Sequence, residues 1–480
     1  MISIVNWKHT ELALAVVAGL GLIAVFHTSD SAETAFLIAA IPLGLALAWI
    51  WPVGAAFCFI ALSCFRIHEA YPALMPLSLP LAFSVLLIVG CILHIAGRNL
   101  TTFIRPELTF LLLFALHVTI GLVLSYDRDL SYKIWSESFI KTILVAIMMA
   151  WIVKFPRDCA VVTATTVLSG VAISLVAIYN SLNGIDLVEG NRVAIGIALG
   201  SQIGDPNDLA FVLMFAVAFA LCGLLARDAL VFERLMFGAA LALIIWAIVA
   251  TKSRGGQIGT MAVFAYFFAK RYKSATMPII ACGIVGCLIY VLSGVGNREY
   301  GDLDADGLDE SSASRINAWK AGIGMALSRP VFGMGLGNFG EGYYLFAPIW
   351  DGKNRAAHSI WFQVLGETGF VGLVLYVGMV YFTFRAIVGL VRNVDLHIQD
   401  ERIRGLALAL AAGFTGTCAA GTFLSQAYSW PVFIQVALIS ALAHHVNSIA
   451  VQRKNEATMK SHPFGLPLLR GDPPTTGFRP

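Results

Sequence analysis

The chemistry-bearing side chains of this sequence lie in polar stretches between long apolar runs. Thr251-Lys-Ser-Arg-Gly-Gly256 carries Lys252 and Arg254, and Gly190-Asn-Arg-Val193 carries Arg192. Ser311 to Lys320 carries Arg315 four residues before Trp319, a spacing that puts both on one face of a helix. A guanidinium is a planar fork of donors that matches a phosphate or carboxylate and keeps its charge. His358 stands in Ala356-Ala-His-Ser-Ile-Trp-Phe362, and an imidazole can move a proton near neutral pH. Each group also has a plainer reading. Lys252 and Arg254 could equally be snorkelling to lipid headgroups, and a lone interfacial histidine is more often structural. Asp205 and Asn207, in Gly204-Asp-Pro-Asn-Asp208, suit helix N-caps, with substrate binding as the lesser alternative. Asp302, Asp304, Asp306 and Gly307 copy the first half of a calcium-binding loop. The twelfth position is Ala313 where that loop needs a bidentate Glu, so a solvated acidic turn is expected and no metal site. Gly335, Gly337 and Gly340 spell G-x-G-x-x-G, but no strand precedes them and a dinucleotide site is not expected.

The elements that must position these groups are membrane helices. Of 480 residues, 58% are hydrophobic and 13% charged, about half the charge of a soluble domain, which carries roughly 25%. Mean hydropathy is +0.79. So little polar surface cannot cover a globule of this size, and the lipid bilayer is the expected solvent. The net charge of +3 is small and its cations are scattered in loops, which excludes a nucleic-acid partner. The eight cysteines form no C-x-x-C pair and read as small buried hydrophobes. A span needs roughly 20 apolar residues. Apolar runs near 12–26, 35–51, 52–65, 72–96, 108–125, 139–153, 159–179, 208–226, 235–250, 255–269, 277–293, 359–384, 404–423 and 429–447 predict 12 to 14 helices. The expected class is an all-α polytopic membrane protein, with a multi-spanning domain over 1–450 and a polar, proline-rich, disordered tail over 451–480. With the amino terminus in the cytoplasm, 19 of the 32 Lys and Arg residues face inward, as the positive-inside rule asks. Both termini are then cytoplasmic, and 180–207 and 294–358 are periplasmic. The long loop 294–358 contains a predicted short helix with a serine N-cap, ended by Pro330. Gly333-Met-Gly-Leu-Gly337 follows as an exposed tight turn. From His358 to Phe384 the helix is longer than the bilayer core is thick, so His358 projects above the membrane.

The order Thr-Lys-Ser-Arg254-Gly-Gly, Ser-Arg315-x3-Trp319, Pro330-x2-Gly-x-Gly335 and His358-Ser-x3-Gln-x2-Gly-Glu-x-Gly369 resembles the bacterial O-antigen ligase and polymerase family over roughly 185–385. The stretch His358 to Gly369 is also similar to O-glycosylation ligases found beside exosortase systems. The resemblance implies an inner-membrane, inverting, metal-independent glycosyltransferase that needs no cofactor. Its donor would be a glycan on undecaprenyl diphosphate. The acceptor would be the lipid A core, with a growing polysaccharide or a protein as alternatives, and a lipid-linked glycan transporter as a remote one. Arg254 and Arg315 would hold the diphosphate, His358 would take the acceptor proton, and Arg192, Lys252, Trp319, Asp205 and Asn207 would line the site. Glu367, nine residues beyond His358, falls on the opposite face of a helix and is not expected to orient the imidazole.

Overall fold

The computed structural model describes residues 49–71, 74–75, 79–97, 100, 102–272, 310–350, 352–398 and 400–461, with a few isolated positions between 273 and 309. The predicted span 12–26, most of 35–51 and of 277–293, and Asp302, Asp304 and Asp306 lie outside the described residues. The helices are α1 (Pro52–Ser63), α2 (Leu79–Ala96), α3 (Pro106–Gly121), α4 (Arg128–Ile152, with a π turn at Trp135–Phe139), α5 (Cys159–Asn183), α6 (Pro206–Leu224) and α7 (Val231–Ala250). They continue as α8 (Arg254–Tyr272), α9 (Glu310–Ser328), α10 (Phe339–Phe346), α11 (Ile360–His397), α12 (Glu401–Gly421) and α13 (Trp430–Ser461). Among the described residues the strands are one antiparallel pair, Leu187–Val188 with Arg192–Val193. Nine helices there are long and apolar enough to cross a membrane, so the chain is an all-α, multi-pass membrane protein. Backbone satisfied within each segment is what a hydrocarbon solvent demands.

Pro52, Pro106 and Pro206 stand in the first turns of α1, α3 and α6, where the missing N–H costs nothing. α6 is apolar almost all round and lies at the centre, packed against α5, α7, α8 and α12. Its residues from Leu209 to Leu221 are buried throughout, as expected for a helix without a polar face. α8 is a helix where 255–269 is predicted to span, but it is not among the nine apolar candidates. Arg254, Gln257, Lys270 and Arg271 lower its hydropathy, and close packing takes over. A Cβ on Gly256 would meet Ala210 Cβ at 2.5 Å, and one on Gly259 would meet Ala420 Cβ at 2.7 Å. Small residues thus let α8 approach α6 at Ala210 and α12 at Ala420, the usual device for helix contact in lipid.

α11 packs on α3, α9, α12 and α13 and corrects the expectation of one unbroken helix. Gly369 has φ 69° and ψ −170° inside it, a conformation essentially confined to glycine. The helix also starts at Ile360, so His358 precedes it, and it runs on to His397. Two further expectations are corrected. Ser311 lies inside α9, which begins at Glu310, so it is not the cap. α13 extends to Ser461, so the tail begins as helix because the last span simply continues.

Candidate functional site

The loops before α6, between α7 and α8, before α11 and between α12 and α13 gather at one end of the bundle. Arg192 sits on the short hairpin, opposite Val188. Its Nε donates to Thr251 O at 3.2 Å, its Nη2 to Asn207 Oδ1 at 3.0 Å, and its Nη1 lies 3.7 Å from Glu189. Asn207 Oδ1 also accepts from Ser253 Oγ at 2.8 Å. Asn207 is therefore a crosslink and not an N-cap: it ties the hairpin, the first turn of α6 and the α7–α8 turn together. Asp205 is the cap, accepting from Asn207 N at 2.7 Å. Lys252 takes φ 49° in the α7–α8 turn, and half-buried Arg254 is the first residue of α8.

His358 has φ 47°, strained for a side chain with a Cβ, and its surroundings impose that conformation. Its backbone N–H donates to Ser425 Oγ at 2.7 Å. The preceding carbonyl, Ala357 O, accepts from Trp319 Nε1 at 3.1 Å, and Trp319 stacks on Phe362 with ring centroids 5.1 Å apart. Trp319 is thus a clamp on the histidine loop. Arg355 Nη1 donates to Ser314 Oγ at 2.9 Å, which fastens the same loop to α9 beside Arg315. Burial pushes the imidazole below its ordinary value, and the charges of Arg315, Arg355 and Arg192 push the same way while Asp205 opposes them. His358 is therefore a neutral imidazole set among guanidinium groups.

The glycine turn is buried, not exposed, because it fills the break in α11. Met334 N–H donates to Gly366 O and Gly335 N–H to Glu367 O, both at 2.9 Å, and Phe370 N–H donates to Pro330 O at 2.8 Å. His117 Nε2–H donates to Thr368 O at 3.0 Å. Gly366 O, Glu367 O, Thr368 O and Phe370 N–H at the break are thus paired from other elements, as backbone groups at this depth require. The carboxylate of Glu367 completes the joint, with Oε2 accepting from Gly337 N–H at 2.8 Å. It is not among the charges acting on His358. A cavity of about 320 Å³ opens beside the histidine loop, with Gly337, Ala357 and Ser425 in its wall. Among the described residues no group of three or more His, Cys, Asp or Glu is placed to hold a metal ion.

The structure brings Arg192, Asp205, Arg315 and His358 into one electrostatic neighbourhood, joins Asn207 to it directly, and places Trp319 behind it. Lys252 and Arg254 adjoin it through Thr251 and Ser253. Arg355, Ser425, Ser253 and Ser314 were not singled out by sequence. Arg355 had a signal, since it is a basic residue in a loop on the side where bases are disfavoured. The serines had none.

Residues 239–377 match a protein-family model described as O-antigen ligase. The match runs from within α7 to within α11, so it takes in Lys252, Arg254, Arg315, Trp319 and His358. The resemblance to the O-antigen ligase family is thereby found independently over that stretch. No curated protein matches the chain. Arg192, Asp205 and Asn207 precede the matched stretch and join the site through the hydrogen bonds to Thr251 and Ser253.

Proposed function

We propose that this protein transfers a glycan from undecaprenyl diphosphate to an acceptor hydroxyl of the lipid A core, at the periplasmic face of the inner membrane. The observation that carries the reading is a half-buried histidine, made a poor proton holder by its surroundings, with Arg315 and Arg192 among the charges acting on it. The acceptor oxygen attacks the anomeric carbon as His358 takes its proton. The new C–O bond forms while the bond from sugar to diphosphate breaks, and the electron pair leaves on the diphosphate. One displacement at that carbon inverts it. Negative charge grows on the leaving group, where Arg192, Arg254 and Arg315 would meet it with fixed donors. Such preorganised donors are each worth about 10²–10³ in rate. Lys252 would add charge, Trp319 and Asn207 hold the geometry, and Asp205 tempers the field at the imidazole.

The test is glycan transfer by the purified, well-folded chain. His358→Ala is expected to keep donor binding and to lose about 10²–10⁴ in turnover, the usual worth of a general base. Near wild-type turnover across pH 6 to 8 would sink the mechanism. Surface glycolipids of a deletion strain decide the acceptor. Core without polymer supports a ligase, core bearing single units a polymerase, and intact glycolipid with an unglycosylated protein a protein ligase.

A further inference from the structure

The cavity beside the histidine loop has a wall suited to a neutral, hydroxyl-rich ring. Its volume, about 320 Å³, falls within the roughly 300–1,000 Å³ of small-molecule sites. Phe339 supplies an apolar face, and Asn354 and Gln363 carry amides that both donate and accept. Ser425 Oγ accepts from His358 N–H, which leaves its O–H to donate. Arg355 and Glu367 line the same wall, and the Arg355 guanidinium is already tied to Ser314 Oγ at 2.9 Å. None of Arg192, Arg254 and Arg315 lines it. His358 does not line it either, but Ala357 before it and Ser425, which takes its backbone N–H, do. In an in-line displacement the nucleophile lies opposite the diphosphate, so a polar cavity adjoining the loop of the base is placed for the nucleophile.

We propose that this cavity is a subsite for one monosaccharide ring of the acceptor, held so that its hydroxyl reaches His358. The inference rests on the glycosyl-transfer reading above but concerns binding, and its test is separate. Gly340 lines the cavity, and a Cβ there would meet nothing nearer than Asn354 Cβ at 4.0 Å. Gly340→Leu therefore starts a side chain in open space at the cavity wall. Asn354 is exposed, so Asn354→Ala removes an amide without endangering the fold.

The measurement is saturation transfer from the detergent-solubilised full chain to free D-glucose, D-galactose and N-acetyl-D-glucosamine. Alongside it, affinity is measured for undecaprenyl diphosphate, bare and carrying one N-acetyl-D-glucosamine. At least one free sugar is expected to show a signal in the wild type. In Gly340→Leu it should fall about tenfold, a difference easily read as affinity, with a smaller fall in Asn354→Ala. Both lipids should bind as in the wild type. An absent wild-type signal, or one unchanged in both variants, would overturn the subsite. Loss of affinity confined to the sugar-bearing lipid would put the donor's own sugar there and overturn the acceptor assignment. His358→Ala should bind free sugar normally, so a failure of His358 as base and a failure of the subsite are read in different experiments.

Discussion

Burial and the guanidinium of Arg315 hold the His358 imidazole neutral at pH 7, and a base must be neutral to accept a proton. The sign of the pH dependence follows. Turnover should be flat through neutrality and fall as pH drops through the lowered histidine value, below the ordinary value of about 6.5. Arg315→Gln removes a charge that lowers it, so the acid limb of kcat/KM should move to higher pH. Asp205→Asn removes the charge that raises it, and asparagine caps a helix equally well. Its acid limb should move to lower pH with the fold unchanged. Limbs that stay together in all three proteins would mean that another group titrates. Arg315→Lys keeps the charge and loses the fork, and should still cost about 10²–10³ in rate if bidentate grip matters. Because charge on the diphosphate is met by guanidinium groups in this scheme, chelator in the assay should leave turnover intact. Loss restored by an added divalent ion would return Asp302, Asp304 and Asp306 to consideration. At this scale the sequence was informative about type and poor about partners. Histidine and arginine announce themselves by chemistry, whereas the role of Asn207 depends on three segments meeting.

The break in α11 shows why elements are harder to read than residues. The run from His358 to Phe384 is apolar enough for one helix, and Gly366 and Gly369 alone do not say which is left-handed. What decides it is the turn after Pro330, some thirty-five residues earlier, which donates into the gap. A Cβ on Gly369 would stand 2.6 Å from Pro330 O, and one on Gly333 would stand 2.5 Å from Gly366 O. The two glycines are needed at the same contact, each because the other segment passes so close. Gly369→Ala adds a clash to a positive φ, and should cost about 1–3 kcal/mol for the strain alone. His117→Ala removes one donor to a carbonyl freed by the break. Hydrogen bonds between membrane helices average roughly 0.6 kcal/mol, so a mild loss is expected. Thermal unfolding in detergent would rank them, with Gly369→Ala the more damaging. The opposite order would mean that the joint is looser than its hydrogen bonds suggest. α8 is a helix where one was expected, and its close glycine contacts with α6 and α12 stand beside buried Val263, Phe264 and Phe267.

Across the whole molecule the two ends of the bundle differ in chemistry. One end holds the hairpin, the α7–α8 turn and the histidine loop. At the other, Arg271 donates to Leu225 O at 2.8 Å and Arg227 lies 3.9 Å from Glu401, so the α6–α7 turn meets the end of α8 and the start of α12. The positions of the nine described spans were legible because lipid imposes a length on each helix, but the grouping of loops was not, since alternation of ends follows only once every span is counted correctly. The charge distribution fills that gap with a testable assignment. Loops rich in Lys and Arg are expected in the cytoplasm, so the Arg227 and Arg271 end is predicted to lie inside and the His358 end in the periplasm, where an acceptor assembled outside would reach it. Arg227 and Lys353 are both exposed, one at each end. In a cysteine-free version of the chain, Lys353→Cys should react with a membrane-impermeant maleimide in spheroplasts with an intact inner membrane. Arg227→Cys should react only after that membrane is opened. The reverse pattern would turn the molecule over, put the candidate site on the cytoplasmic side, and leave a periplasmic transfer without a catalyst in this chain.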